Sequence, residues 1–314
     1  METFYSELTE MLKLMKKRDV IIIIGDSNTK AGNEPVPEAI GNFGIPSFLK
    51  LPSSGMERWH NKLAIVTGAS VGIGAACTKA LLSAGLRVIG LARREQKLEE
   101  LKESLPQVQK SKFFPRKCDV SKEQDVLAAF EWSEKELGGV DVLLNNAGIT
   151  RQTELVAPNN TEKIRQVIDT NVMGVLWCTR EAFQRMHKRG NEGHILIINS
   201  LAGQQVLNFI DVLPSFNIYP ATKFAITAMT ETYRQEFQLH KSKVRITGLC
   251  PGAVDTNIFP DEIQFYVKNM ALLEPQNIAD AVLYALKLPQ HVQFVIPFIQ
   301  FSYNTENRGE AVKK

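Results

Sequence analysis

From about Glu57 the chain alternates short β-branched runs with longer stretches of helical period, and this alternation restricts the fold more than any other feature. The runs fall at 63–67, 86–91, 113–118, 140–145, 194–199 and 244–249; the helical stretches fall near 72–84, 94–104, 122–137, 161–189, 217–240 and 276–287. Runs this short and this apolar suit strands covered on both faces. The stretches between them are long enough to return as helices. The pattern predicts an α/β, doubly wound Rossmann fold with a mostly seven-stranded parallel sheet and helices on both faces. A further run at 292–296 is the candidate seventh strand.

Residues 1–56 read differently. Glycines and prolines crowd the stretch from Gly25 to Gly55, so an irregular, non-enzymatic N-terminal extension is expected there. It precedes a domain over 57–300 and a polar tail over 301–314. The most apolar stretches, 20–24 and 292–301, fall short of the ~18–20 residues needed to cross a bilayer. The N-terminal stretch carries Glu2, Glu7 and Glu10 and lacks the apolar core of a signal peptide. A net charge of +3 over 314 residues gives no general argument for nucleic acid or anionic membrane as a partner. Cys77, Cys118, Cys178 and Cys250 form no CxxC pair and read as free thiols in a reducing, cytoplasmic setting. No metal site is expected.

The first run leads directly into Thr67-Gly68-Ala69-Ser70-Val71-Gly72-Ile73-Gly74. Glycines at these spacings let the backbone turn sharply, approach a pyrophosphate and pack the next helix on the sheet. The helix start then offers free N–H groups to the phosphates. A bare strand-to-helix turn would also use glycine, but the order strand, triplet, helix favours a dinucleotide. After the second run, where an acid would hold a ribose 2′-hydroxyl, stand Ala92, Arg93 and Arg94. Two arginines at a helix start oppose the helix dipole. They are either a solvated basic turn or the partners of a 2′-phosphate, and the second reading favours NADP(H) over NAD(H).

Tyr219 and Lys223 are four residues apart, on one helix face, with Ser200 at the end of an earlier run. A phenol of pKa ~10 is a poor proton donor and acceptor at neutral pH. An ammonium about 4 Å away would stabilise the phenolate by roughly 4 kcal/mol, about three pKa units, with burial opposing. Ser200 can donate to a substrate carbonyl. Pro220, lacking an N–H, places Tyr219 in the first helical turn. Alone, Tyr-x-x-x-Lys is an ordinary surface pair; behind a nucleotide cradle it reads as a proton-transfer site.

With these motifs in place, residues 57–290 resemble the short-chain dehydrogenase/reductase family. The glycine turn, Cys118-Asp119-Val120, Asn145-Asn146-Ala147-Gly148, Asn171, Ser200, Tyr219, Lys223 and 251–256 carry the resemblance. Met56-Glu57-Arg58-Trp59, Ala92-Arg93-Arg94 and 198–219 are most similar to its member-11-type and insect farnesol-dehydrogenase-like branch. The resemblance implies that Tyr219 is the general acid/base, that Lys223 binds the nicotinamide ribose, and that Ser200 orients the carbonyl. It implies that Asn171 holds a relay water and that Asp119 and Val120 flank adenine. Asn146, Ala147 and Gly148 would line the cofactor with Thr67, Gly68, Ser70, Gly72, Ile73 and Gly74. Pro251, Gly252, Val254 and Thr256 would meet its nicotinamide side. It also implies a homodimer or homotetramer.

The stretch 206–216 and a candidate lid over 258–270 are apolar enough to wall a pocket for a hydrophobic alcohol or carbonyl, farnesol-like or steroid-like, or else to pack on the body or a partner. The N-terminal segment, with Gly25-Asp26-Ser27-Asn28, resembles a fragment of a retroelement endonuclease of the endonuclease/exonuclease/phosphatase family. The expected function is an NADP-dependent alcohol/carbonyl oxidoreductase. Alternatives are a cofactor-binding, non-catalytic regulator on the same fold and a metal-dependent nuclease acting through Asp26 and Asn28.

Overall fold

Six parallel strands carry the sheet: β1 (Leu63–Thr67), β2 (Arg87–Ala92), β3 (Phe113–Lys117), β4 (Val142–Asn145), β5 (Gly193–Ile198) and β6 (Val244–Pro251). Their spatial order is β3-β2-β1-β4-β5-β6, and the two-residue segment Phe298–Ile299 runs parallel to Cys250–Pro251 at the outer edge. The structure, a computed structural model, describes residues 20–22, 55–206, 217–258, 272–290, 292–294 and 298–299. Asp26 and Asn28 with most of the N-terminal extension, the pocket-wall stretch from 207, the lid from 259 and the tail from 301 lie outside the described residues.

Helices α1 (Gly72–Ser83), α2 (Glu95–Glu103), α3 (Glu123–Leu137), α4 (Thr161–Ile168), α5 (Gly174–Lys188), α6 (Tyr219–Leu239) and α7 (Pro275–Lys287) cover both faces. Side chains alternate sides along each strand. Ala64, Val66, Leu144 and Leu196 therefore meet Leu81 of α1 and Val282 of α7, whereas Leu63, Ile65, Leu143 and Ile195 meet Phe130 of α3 and Met186 of α5. Every residue of β1 is buried, as a strand at the centre of a doubly covered sheet requires. Each such Leu, Ile or Phe stabilises the fold by roughly 1.5–3 kcal/mol.

Two elements depart from the sequence expectation. The single helix expected over 161–189 is broken by a π turn, Asp169–Met173, between α4 and α5. The wider turn faces Thr170 and Asn171 inward, where Asn171 is 2 % exposed. Residues 292–294 of the expected seventh strand pair instead with Val20–Ile22, in a separate two-stranded parallel ribbon. In the sequence Pro297, with no N–H to give a ladder, stands between this stretch and Phe298–Ile299.

The residues just ahead of β1 are fastened to the end of α7. The indole N–H of Trp59 donates to the Leu286 carbonyl at 2.9 Å, and the Arg58 guanidinium donates to Leu286 O at 2.6 Å and to Leu288 O. These are carbonyls that a helix end leaves without internal partners, and a cation suits that end of the helix dipole.

Candidate active site

All of the candidate chemistry gathers at the C-terminal ends of the strands. β1 ends at Thr67, and Gly68 turns the chain with φ +65°. A Cβ at Gly68 would stand 2.9 Å from the Ala147 Cα, and one at Gly74 would stand 2.2 Å from the Gly68 carbonyl oxygen. Neither position tolerates a side chain. Asn146 braces the turn, its Nδ2 donating to Thr67 O at 3.0 Å and Gly68 O at 3.2 Å. The Thr67 hydroxyl in return accepts the N–H groups of Asn146 and Ala147, both at 3.0 Å. The exits of β1 and β4 are thereby stitched together, and α1 begins beside them with no side-chain cap and no acid in its first turn.

A cavity of about 1150 Å³ runs from this turn to the start of α6. Of the residues predicted for the site, only Thr67, Gly74 and Asn171 do not line it. Arg93 and Arg94 stand at one end, exposed and without an ion pair among the described residues. Asp119 accepts from the Ser121 hydroxyl at 2.7 Å, and Thr256 faces Gly72 from the opposite lip. An uncapped helix start, glycines that admit close approach and two unpaired guanidinium groups fit a phosphate-rich dinucleotide.

Ser200, Tyr219 and Lys223 share the other end of the cavity. Ser200 follows β5 and caps a short turn, its Oγ accepting Ala202 N–H at 3.1 Å. Its side chain is also hydrogen-bonded to the Tyr219 hydroxyl. Lys223 is 7 % exposed and donates to Ile198 O at 3.0 Å. Its Nζ lies 5.6 Å from the centroid of the Tyr219 ring. Burial pushes the Tyr219 phenol up to about 12, with the Ser200 hydrogen bond opposing, and pushes the Lys223 ammonium down to about 8. The expected lowering of the tyrosine by its lysine is therefore absent from the protein alone. Loss of hydration outweighs attraction because the ammonium is directed at a backbone carbonyl rather than at the phenol.

Asn171 sits behind this trio. Its Oδ1 accepts Ile149 N–H at 2.9 Å, and its Nδ2 donates to Ile149 O at 3.0 Å and to the Thr222 hydroxyl at 3.3 Å. Both amide protons are thus committed to bracing. Three supporting residues escaped the sequence reading. Thr222 links Asn171 to the Tyr219 carbonyl, at 2.7 Å from the latter. Thr227 accepts from Asn199 at 2.8 Å and from Gln204 at 3.0 Å, holding the Ser200 turn to α6. Asn217, two residues ahead of Tyr219, has φ +46°. An asparagine at the very start of the predicted helix 217–240 was the one signal available for it, since asparagine tolerates the left-handed region.

Among the described residues no helix is long and apolar enough to cross a membrane, and no cluster of three or more His, Cys, Asp or Glu is placed to hold a metal. The short chain dehydrogenase pattern matches residues 62–265. The chain is 50% identical over 238 residues to the farnesol dehydrogenase of Aedes aegypti, covering 76% of this chain and 95% of that protein. It is 39% identical over 248 residues to the dehydrogenase/reductase SDR family member 11 of Homo sapiens, covering 76% and 94%. Among solved structures it is similar to an alcohol dehydrogenase from the archaeon Thermococcus sibiricus complexed with 5-hydroxy-NADP. That match has a TM-score of 0.63 and 30% identity, and covers 76% of this chain and 95% of the other.

Proposed function

The chain belongs to the short chain dehydrogenase family of oxidoreductases acting on alcohol and carbonyl groups, and on that premise we propose that it uses NADP(H) to interconvert a hydrophobic alcohol and its aldehyde or ketone. The observation that carries this reading is one cavity with Ser200, Tyr219 and Lys223 at one end and, at the other, two exposed arginines that make no ion pair among the described residues.

In this reading the first turn of α1 binds the pyrophosphate, Arg93 and Arg94 receive the 2′-phosphate, and Asp119 and Val120 border the adenine. Ala147 and Gly148 lie beside the ribose. Pro251, Gly252, Val254 and Thr256 face the nicotinamide side. The bound cofactor supplies hydride at the carbonyl carbon, or accepts it in the reverse direction. Ser200 donates a hydrogen bond to the carbonyl oxygen and holds it at the Tyr219 hydroxyl. At neutral pH a phenol held near 12 keeps its proton, so the resting site is set to donate, as reduction requires. Lys223 binds the nicotinamide ribose, and Asn171, whose carboxamide is spent on bracing, serves a relay water behind it through its main chain.

The name of the Aedes aegypti relative, and the apolar Ile149, Leu201, Val206 and Ile258 in the cavity wall, support a farnesol-like or steroid-like substrate. Residues 57–300 are read as the whole catalytic unit. The test is nicotinamide absorbance over a panel of isoprenoid alcohols, their aldehydes and steroid ketones, with NADP(H) and NAD(H) in parallel. It uses the full chain and a chain starting at Met56. Equal turnover by both chains, with a preference for NADP(H), is expected. Silence across the panel in both would overturn the enzymatic reading of this site.

A further inference from the structure

The first turn of α6 has few anchors of its own. Ile218, at its N-cap, makes no side-chain cap bond, and Pro220 has no N–H to give. Yet this turn carries Tyr219, whose hydroxyl must meet both Ser200 and the substrate oxygen. What holds it is the loop leaving β4. One stitch runs from Ile149 through Asn171 and Thr222 to the Tyr219 carbonyl. The other is made by Asn217. Its Nδ2 donates to the Arg151 carbonyl, and its Oδ1 accepts the N–H of Ile218. Asn217 is 7 % exposed and lines the cavity beside Tyr219. Its φ of +46° lies in the left-handed region, which asparagine enters more easily than most residues and which turns its carboxamide back over the loop.

We propose that Asn217 is a positioning residue for proton transfer: by clamping the loop at Arg151 to the start of α6, it sets the distance at which the Tyr219 hydroxyl meets Ser200. The inference rests on the reading of Tyr219 as the proton donor. Among the bonds described, removing the clamp leaves the stitch through Asn171 and Thr222 and the Lys223 bond one turn further on; the first turn can pivot about these, and the phenol swings at the end of that lever. Displacements of this kind cost rate rather than cofactor affinity, because the glycine turn and the arginines lie elsewhere in the cavity.

Two variants separate the clamp from the backbone conformation. Asn217→Gly keeps the left-handed φ and loses the side-chain hydrogen bonds to Arg151 O and Ile218 N–H. Asn217→Asp keeps the acceptor for Ile218 N–H but turns a carboxylate oxygen towards the Arg151 carbonyl. Each is compared with the wild type and with Tyr219→Phe in three measurements. The first is turnover with NADPH and the best carbonyl of the panel. The second is NADPH affinity by fluorescence titration. The third is the pH titration of Tyr219, followed by NMR of isotope-labelled tyrosine and assigned by its absence in Tyr219→Phe.

Both Asn217 variants should lose about tenfold or more in kcat, bind NADPH within about twofold of wild type, and titrate Tyr219 at lower pH as its surroundings loosen. If Asn217→Gly does not fold, Asn217→Asp alone decides. Wild-type kcat with an unmoved Tyr219 titration overturns the inference, and so does a parallel loss of kcat and NADPH affinity. Turnover by Tyr219→Phe would instead overturn the reading of the site itself. A dead Tyr219→Phe beside fully active Asn217 variants would sink only the clamp.

Discussion

The ammonium of Lys223 donates to the carbonyl of Ile198, the last residue of β5, across 3.0 Å. Two residues further on stands Ser200, and one turn back along α6 stands Tyr219. A single buried bond thus ties the helix that presents the phenol to the strand that presents the hydroxyl. Charge-assisted bonds of this kind contribute about 1.5–3 kcal/mol. The lysine therefore serves the geometry of the pair even where it does not lower the phenol's pKa.

That burial has a consequence for stability against pH. The folded protein holds the Lys223 ammonium at about 8, below the ordinary lysine range. Between about pH 8 and the unfolded value near 10.4, this lysine binds more protons in the unfolded chain, so its contribution to stability rises with pH across that window and levels off below it. The buried thiols of Cys77, Cys118, Cys178 and Cys250, all pushed up by burial, act in the opposite sense from about pH 8.5, and Tyr219, pushed up to about 12, does so above about pH 10. The lysine is therefore read as a difference: urea unfolding at intervals across its window should show wild type gaining on the order of 2 kcal/mol relative to Lys223→Met. Parallel profiles for the two proteins would place the titrating group elsewhere.

Cofactor choice should follow Arg93 and Arg94. Arg93→Ala should weaken NADPH by about tenfold or more, as loss of one charge-assisted phosphate contact implies, while NADH affinity stays nearly constant. Isothermal titration with both cofactors is the check; an equal loss for the two would remove the 2′-phosphate from the account.

Asn171 bonds both backbone groups of Ile149. Asn171→Ala strands that half-buried N–H and C=O, so a cost of about 1–2 kcal/mol is expected, seen as a lower urea midpoint with an unchanged slope. A variant as stable as wild type would show that water replaces the carboxamide without penalty.

Trp59 and Arg58 share Leu286 O as acceptor. Trp59→Phe and Arg58→Ala should each cost about 1–2 kcal/mol, and the double variant more than their sum, because only then does the shared carbonyl lose every partner. Thermal unfolding of the four proteins measures that coupling; strict additivity would mean that the two side chains act independently.

The strand, glycine turn and helix at Leu63 to Ser83 were legible because residue type alone dictates them: β-branched residues, then glycines where no Cβ fits. Ser200, Tyr219 and Lys223 were found through spacing, and the cavity does collect them. Other features were not legible, for identifiable reasons. Helical periodicity passes through 161–189 without a break, since a π turn adds one residue and leaves the apolar pattern nearly intact. The resting pKa values of Tyr219 and Lys223 depend on how much water the fold removes, which spacing does not encode. Asn217 works through its backbone angle, the Arg151 carbonyl and the Ile218 N–H; residue order hints at the first, through an asparagine at a helix start, and has no signature for the other two.

The fastening of Arg58 and Trp59 to the tip of α7 lies at the floor of the sheet, a whole strand of five residues below the mouth of the cavity. The chain at Gly55 is thus moored on the far side from the chemistry. In a chain starting at Met56 that end is accordingly the natural handle for tags, tethers or surface immobilisation, since cargo hung there leaves substrate traffic unobstructed.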